Sequence, residues 1–396
     1  MVILGLTTII STGTTQYLFG VLVLPMSQTL GWSQTHLANA YALSLVIAGI
    51  FGVPIGHLVD RWGARFLMTI GSFLGGISLI GISQVHTMFI FYLWWSLGLG
   101  LAMALTFYPV SFTVMTNWFE QKRGTALAIL TLVGGLASPL FIPSEGWMVM
   151  HFGWRSMLLI VGGVQLMVAM PLHGLFLRRH PEDLGLAPDG ATLSISGHLP
   201  GMTRQEAFHL PAFWLLTLAI SLTMFGSTIV LVYQISALIV CGYDPVMATI
   251  VAGALGFASL PGRVACNLLS ERISPQKILC GSILAQAVGL ICLIIAPSLG
   301  WLIVYVVFYG AAYGTIPPLR AAVMAEHMGR RSYGFILAWQ GIVVAFSSGM
   351  GALAAGWIYN ALHTYTISFW FCVGAFLLAA CCLALTPRPP RPRVPC

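Results

Sequence analysis

The chain has 396 residues, of which 58% are hydrophobic and only 7% charged, whereas an ordinary soluble domain carries about 25% charged residues. A mean hydropathy of +0.92 makes lipid its solvent, which excludes globular enzymes, nucleic-acid binders and secreted disulfide scaffolds. The excess of 17 Lys and Arg over 10 Asp and Glu is therefore read first as membrane topology and only then as a preference for acidic partners.

In chain order, apolar runs cover 2–29, 37–58, 65–84, 87–116, 125–150 and 155–177, then 211–239, 246–270, 276–296, 299–326, 333–360 and 364–386. Each is near the ~20 residues that cross ~30 Å of hydrocarbon. The expected fold is an all-α integral membrane protein with twelve transmembrane helices in two pseudo-symmetric six-helix bundles. These are residues 1–177 and 211–386, joined by a polar central loop at 178–210 and followed by a tail at 387–396. The first run has no charged leader and reads as a retained span rather than a targeting peptide. The eight cysteines all fall at or after Cys241, mostly inside apolar runs and without ligand-like spacing, so they read as small packing residues.

Orientation follows from the cations. With both termini cytoplasmic, fourteen of the 17 Lys and Arg fall in inner loops or the tail, from Arg61 and Arg65 to Arg391 and Arg393, as the positive-inside rule requires. Arg155 falls on the outer side, and Arg263 and Arg320 fall inside helices. The net charge is thus topological, and no nucleic acid is expected as a partner.

The chain also repeats itself. GHLVDRWGAR places Asp60-Arg61 after helix 2, and GRVACNLLSER places Glu271-Arg272 after helix 8, an offset of 211. Pro109 with Val114-Met115 in helix 4 matches Pro318 with Val323-Met324 in helix 10, an offset of 209. Two landmarks that agree this closely indicate halves related by an axis along the membrane normal.

On these residues the sequence resembles the major facilitator superfamily over essentially its whole length. GHLVDRWGAR is similar to that superfamily's loop signature. LGWSQTHLANAYAL after helix 1, SPLFIPSEGWMVMHFGWR at the end of helix 5 and RRHPEDLGLAPDG in the central loop together resemble the bacterial branch of monocarboxylate transporters and oxalate:formate antiporters. The resemblance implies a transporter that is not an enzyme, in a bacterial inner membrane, functioning as a monomer without a cofactor.

Three ionisable residues lie within the spans, where a charge is costly and so signals function. Arg263 stands eight residues before Glu271, about 12 Å from the helix end and close to the midplane, where such transporters bind substrate. A guanidinium presents a planar fork suited to a carboxylate. The resemblance implies the same role, because an arginine in helix 8 binds the anion in the oxalate and monocarboxylate branches. The alternative is an arginine satisfied by helix carbonyls or hydroxyls. The oxalate type has a second cation in helix 11, but residues 333–360 hold no Lys, Arg or His, only Gln340. This favours a monocarboxylate over a dicarboxylate. The helix 1 lysine of animal monocarboxylate transporters is missing too, and TTIISTGTTQYLFG offers Thr12, Thr15, Gln16 and Tyr17 in its place.

Glu145 lies about 10 Å inside the outer end of helix 5, deep enough to take up and release a proton as the cavity changes sides. Its alternative is an outer-gate residue paired with Arg155 or simply solvated. Arg320, six residues from the inner end of helix 10, is expected to pair with Glu271 in a cytoplasmic lock, with Arg272 beside it. Asp60, Arg61 and Arg65 form the corresponding lock of the first half, broken at each turnover. Tyr108, Tyr233, Gln234, Trp339 and Gln340 are candidate cavity residues, although aromatics in membrane helices are also packing and interfacial-belt residues. Gly134-Gly135 with Ser138-Pro139 weakly resembles an antiporter motif, and small residues also let helices approach closely. Three readings of function follow: a carrier of a small organic monoanion, with H+; an exporter of amphipathic compounds; and a non-transporting sensor on a transporter scaffold.

Overall fold

The structure, a computed structural model, describes residues 1–119, 123–177, 204–270, 272–295, 298–328 and 333–387. The first half contains helix 1 (Val2–Leu30), helix 2 (Gln34–Trp62), helix 3 (Ala64–Ser83) and helix 4 (Met88–Met115). The apolar stretch Ile129–Phe176 follows; Gly153 (φ 77°, ψ 159°) breaks it into helix 5 and helix 6. The second half contains helix 7 (Pro211–Val240), helix 8 (Pro245–Ser270), helix 9 (Pro275–Ile295), helix 10 (Leu299–Met328), helix 11 (Tyr333–Leu362) and helix 12 (Thr366–Leu385). An integral membrane fold of twelve crossings is the result. With an even number of crossings the start of helix 1 and the end of helix 12 share one end of the bundle, called the termini end below, and the other is the opposite end.

Helix ends follow local chemistry. Helix 1 stops at Gly31 in the left-handed region (φ 68°), and Ser33 caps helix 2 by accepting from the His36 N–H, satisfying a donor the helix leaves open. Helices 7, 8 and 9 begin with proline, whose missing N–H costs nothing in a first turn. Inside helix 4, Pro109 removes one rung of the hydrogen-bond ladder and the chain breaks at Phe107 (ψ 177°).

Four helices also contain π turns: Gly13–Tyr17, Leu93–Leu99, Gln165–Ala169 and Val306–Gly310. Those in helices 4 and 10 stand at corresponding places of the two halves, so the repeat extends to backbone irregularity. A π turn inserts an extra residue and turns the following side chains onto a new face. In helix 1 this brings Tyr17 to the boundary between the halves. The helix 1 and helix 6 turns touch, Thr14 Oγ1 donating to Gln165 Oε1 at 3.4 Å.

Phe89, Met167, Leu385, Trp357 and Phe371 are among many exposed apolar side chains on the perimeter, where lipid rather than water receives them. Packing inside divides unequally. At the opposite end one core joins the halves, with Phe19, Leu22 and Tyr41 of the first and Val232, Ile235 and Leu238 of the second. At the termini end the first half has a core to itself, containing Leu4, Val59, Met68, Val114 and Leu130.

Contacts between the halves have the same polarity. A Cβ on Gly20 would lie 2.8 Å from the Leu231 carbonyl oxygen, and one on Gly349 would lie 3.0 Å from that of Ala42. At the opposite end the Tyr365 hydroxyl donates to Gln34 Oε1 at 2.5 Å, and Tyr359 stacks on Tyr365 with ring centroids 4.2 Å apart. Toward the termini end, Gly52 and Gly56 of helix 2 face open space. Among the described residues, contacts between the halves therefore concentrate at the opposite end, the sealed end, and thin out toward the termini end, the parted one.

Candidate functional site

Arg263 lies at the boundary between sealed and parted regions, one turn from Ser259 on helix 8, and is 9% exposed. It reaches across the halves: Nη1 donates to the Thr131 carbonyl of helix 5, while Nε has no partner among the described residues. Helix 5 makes room with two glycines. A Cβ on Gly134 would strike the Tyr108 hydroxyl at 2.3 Å, and one on Gly135 would sit 3.2 Å from the Arg263 guanidinium carbon. Tyr17, Tyr108 and Tyr313 all lie within electrostatic range of the guanidinium. The result is a cation with part of its fork unused, ringed by phenols at the seam between the halves.

Immediately toward the opposite end is a small cavity of about 20 Å³, room for a water and little more. Tyr17, Ser138 and Ile142 line it from the first half, and Ser227, Gln234, Ser259, Tyr309 and Tyr313 from the second. The Ser227 and Tyr309 hydroxyls are buried and lie within hydrogen-bonding range of one another. The cavity is thus narrow in this conformation, with polar groups from both halves set in a mainly apolar lining that includes Val230, Leu231 and Leu255. Tyr17 and Tyr313 connect it with Arg263.

Glu145 completes the column. It follows Ile142 by one helical turn toward the opposite end, is 0% exposed, and neither carboxyl oxygen has a hydrogen-bond partner among the described residues. The pairing with Arg155 considered from sequence does not form. Arg155 Nη1 and Nη2 donate to the Ser83 and Val85 carbonyls at 2.6 and 3.2 Å, and the guanidinium lies over the Trp154 ring. A cation there satisfies carbonyls that the end of helix 3 leaves open.

The other candidates disperse. Thr12 is buried in helix 1, and the Gln16 backbone carbonyl accepts from the Tyr41 hydroxyl at 3.5 Å. Thr15 Oγ1 returns to the Ser11 carbonyl one turn earlier at 2.5 Å. Tyr233 belongs to the opposite-end seal, donating to the Ala352 carbonyl at 3.3 Å beside Tyr365. Gln234 lines the cavity and accepts from the Tyr305 hydroxyl at 2.9 Å. Trp339 is exposed and packs edge-on against Phe208.

At the termini end Arg320 Nε donates to Gln340 Oε1 at 2.7 Å, joining helices 10 and 11. Glu271, its expected partner, lies outside the described residues. Arg65 Nε donates to the Gly174 carbonyl at 2.6 Å, fastening helix 3 to helix 6 within one half. Arg272 is exposed, and Asp60 and Arg61 lie on helix 2 with their side chains outside the description. Sequence reasoning did not single out Tyr309, Tyr313, Ser227 or Ser259. In helices apolar on nearly every side, no periodicity marks the inward face.

A family model described as Major Facilitator Superfamily matches residues 4–279 and 242–395. The chain belongs to the major facilitator superfamily. Among its relatives in that superfamily, monocarboxylate transporter 13 of Rattus norvegicus is 29% identical over 344 residues, 85% of this chain and 76% of the relative. The Bos taurus protein of the same name is 27% identical over 341 residues, again 85% and 76%. An uncharacterized major-facilitator-type transporter, YcxA of Bacillus subtilis (strain 168), is 22% identical over 364 residues, 90% of this chain and 86% of the relative. Of solved superfamily structures, a bacterial homologue of the human lysosomal transporter Spinster, inward-facing and unoccupied, aligns with a TM-score of 0.76 at 18% identity over 97% of this chain and 95% of its own. A D-xylose–proton symporter aligns with a TM-score of 0.75 at 17% identity over 98% and 97%. At these identities the structures establish the shared fold, and this superfamily member is a transporter embedded in a membrane.

Proposed function

We propose that this transporter carries a small organic monoanion, foremost a monocarboxylate, together with a proton by alternating access. The observation that carries the reading is Arg263, a buried cation at the seam of the halves whose Nε–H has no partner among the described residues. A carboxylate entering from the parted end takes up the fork of donors and replaces the contact with Thr131. Neutralising the cation removes a penalty for closing the halves over it. Relatives named monocarboxylate transporters support this class of cargo, and Gln340, uncharged and already engaged by Arg320, supplies no second cation for a dicarboxylate. By the positive-inside distribution the parted end is cytoplasmic, so the conformation described is the inward-open one.

The test is uptake of a labelled C2 to C6 monocarboxylate panel into proteoliposomes, by the wild type and by Arg263→Gln. Saturable uptake of one panel member, abolished in the variant while purified protein remains monodisperse, is the expected result. Uptake with unchanged affinity in the variant refutes the role of Arg263. Stabilisation only by hydrophobic cations or neutral drugs, indifferent to the substitution, points instead to an exporter of amphipathic compounds.

A further inference from the structure

We infer that Glu145 is the proton-binding site of the transport cycle, loaded from the opposite end, shut off from it by the seam between helices 5 and 8, and emptied toward the termini end. The inference rests on the anion-carrier reading for its coupling role, but the site is argued from its own geometry. Glu145 is wholly buried with both oxygens unpartnered. No charged side chain acts on it among the described residues. On helix 8, Asp244 is turned away at the end, accepting from the Val246 and Met247 N–H groups, and Arg263 is held at Thr131. Arg155, at the start of helix 6, is committed to the end of helix 3, and helix 1 offers only the phenol of Tyr17 across the cavity. An ionised carboxylate without a hydrogen bond or counter-charge is unfavourable in such a place. The sealed conformation therefore holds the neutral acid.

What seals it is the neighbouring residue. A Cβ on Gly146 would lie 2.5 Å from the Thr249 methyl group, so helix 5 lies against helix 8 at the level of Glu145. Glu145 lies toward the opposite end from the cavity, and Arg263 lies beyond the cavity toward the termini end. When the seam parts at the opposite end, water reaches the carboxyl and the proton exchanges with that side. When it closes, the carboxyl is cut off from that side, and its proton leaves with the anion toward the termini end, through the cavity that Tyr17 and Tyr313 connect with Arg263. The step is a proton transfer: one O–H bond of hydronium breaks as the carboxyl O–H forms, and the reverse transfer returns the proton to water.

The experiment has two arms. Wild-type protein is treated at neutral pH with a hydrophobic carbodiimide, which modifies protonated carboxyl groups, and Glu145 is read by mass spectrometry. Modification at Glu145 is expected, and in Gly146→Val, whose side chain holds the seam apart, its extent falls several-fold at alkaline pH as the exposed group ionises. Absence of modification in the wild type overturns the inference. In the second arm, proteoliposomes under a one-unit pH gradient take up the panel member transported by the wild type. One proton per anion gives about tenfold accumulation, and Glu145→Gln is expected to reduce this to unity. Exchange of labelled for unlabelled solute, which moves no net proton, separates loss of coupling from loss of fold. Tenfold accumulation retained by Glu145→Gln overturns the inference even if Arg263 behaves as proposed. If no monocarboxylate is carried, the anion reading fails alone, and the labelling arm still decides the proton site.

Discussion

Replacing Gly20 with alanine should tip the transporter toward opening at the opposite end. The added Cβ would stand 2.8 Å from the Leu231 carbonyl oxygen and 3.4 Å from that of Val232, both backbone atoms of helix 7 that no rotamer change can move. Overpacking of this kind costs about 1–3 kcal/mol. The cost applies only where helices 1 and 7 touch, so it raises the sealed conformation and leaves the alternative unaffected. At about 1.4 kcal/mol per decade, the ratio of opened to sealed molecules rises roughly 5- to 150-fold. The assay is the labelling rate of a cysteine introduced at Thr35, which is 8% exposed in the sealed state, by a membrane-impermeant maleimide. Cys241, an exposed thiol at the same end, is first replaced with serine. Gly52→Ala serves as the control, since its Cβ would meet nothing within 4 Å. Equal labelling of Gly20→Ala and its parent, or an equal rise in Gly52→Ala, would refute the argument that the glycines set the conformational balance.

Two further substitutions test the same packing logic. Tyr365→Phe removes the hydroxyl donated to Gln34, worth about 1 kcal/mol, and should raise the same labelling rate about fivefold with little change in melting temperature. Gly262→Ala would place a Cβ 2.0 Å from the Ala311 carbonyl oxygen, a clash within the second half that no transport conformation relieves. It should cost about 3 kcal/mol and appear as a marked loss of melting temperature in detergent, not as altered labelling.

Much of the architecture was legible because lipid imposes it. Each crossing must be long and apolar, so the spans could be read from the sequence. Arg263 was legible for the same reason, a charge being conspicuous in an apolar run. Its environment was not. Tyr313 and Ser259 look no different in sequence from lipid-facing neighbours, because helices 8 and 10 are apolar around most of their circumference. Tyr17 reaches the cavity through a π turn that no residue pattern announces, and Tyr233 is drawn to the seal by helices 11 and 12, which lie more than a hundred residues away. Glu145 and Arg155 seemed a natural pair by proximity in sequence. The turn at Gly153 instead directs Arg155 to the end of helix 3.

The carbonyl of Thr131 bears on how cargo can flow. A carrier whose binding cation is left bare when empty must wait for a returning anion, and can only swap one solute for another. Here the cation already has an acceptor from the facing half when no solute is present. If that carbonyl stands in for the solute, the empty carrier is expected to turn round without a counter-anion, and a gradient of one solute should sustain net movement across the membrane.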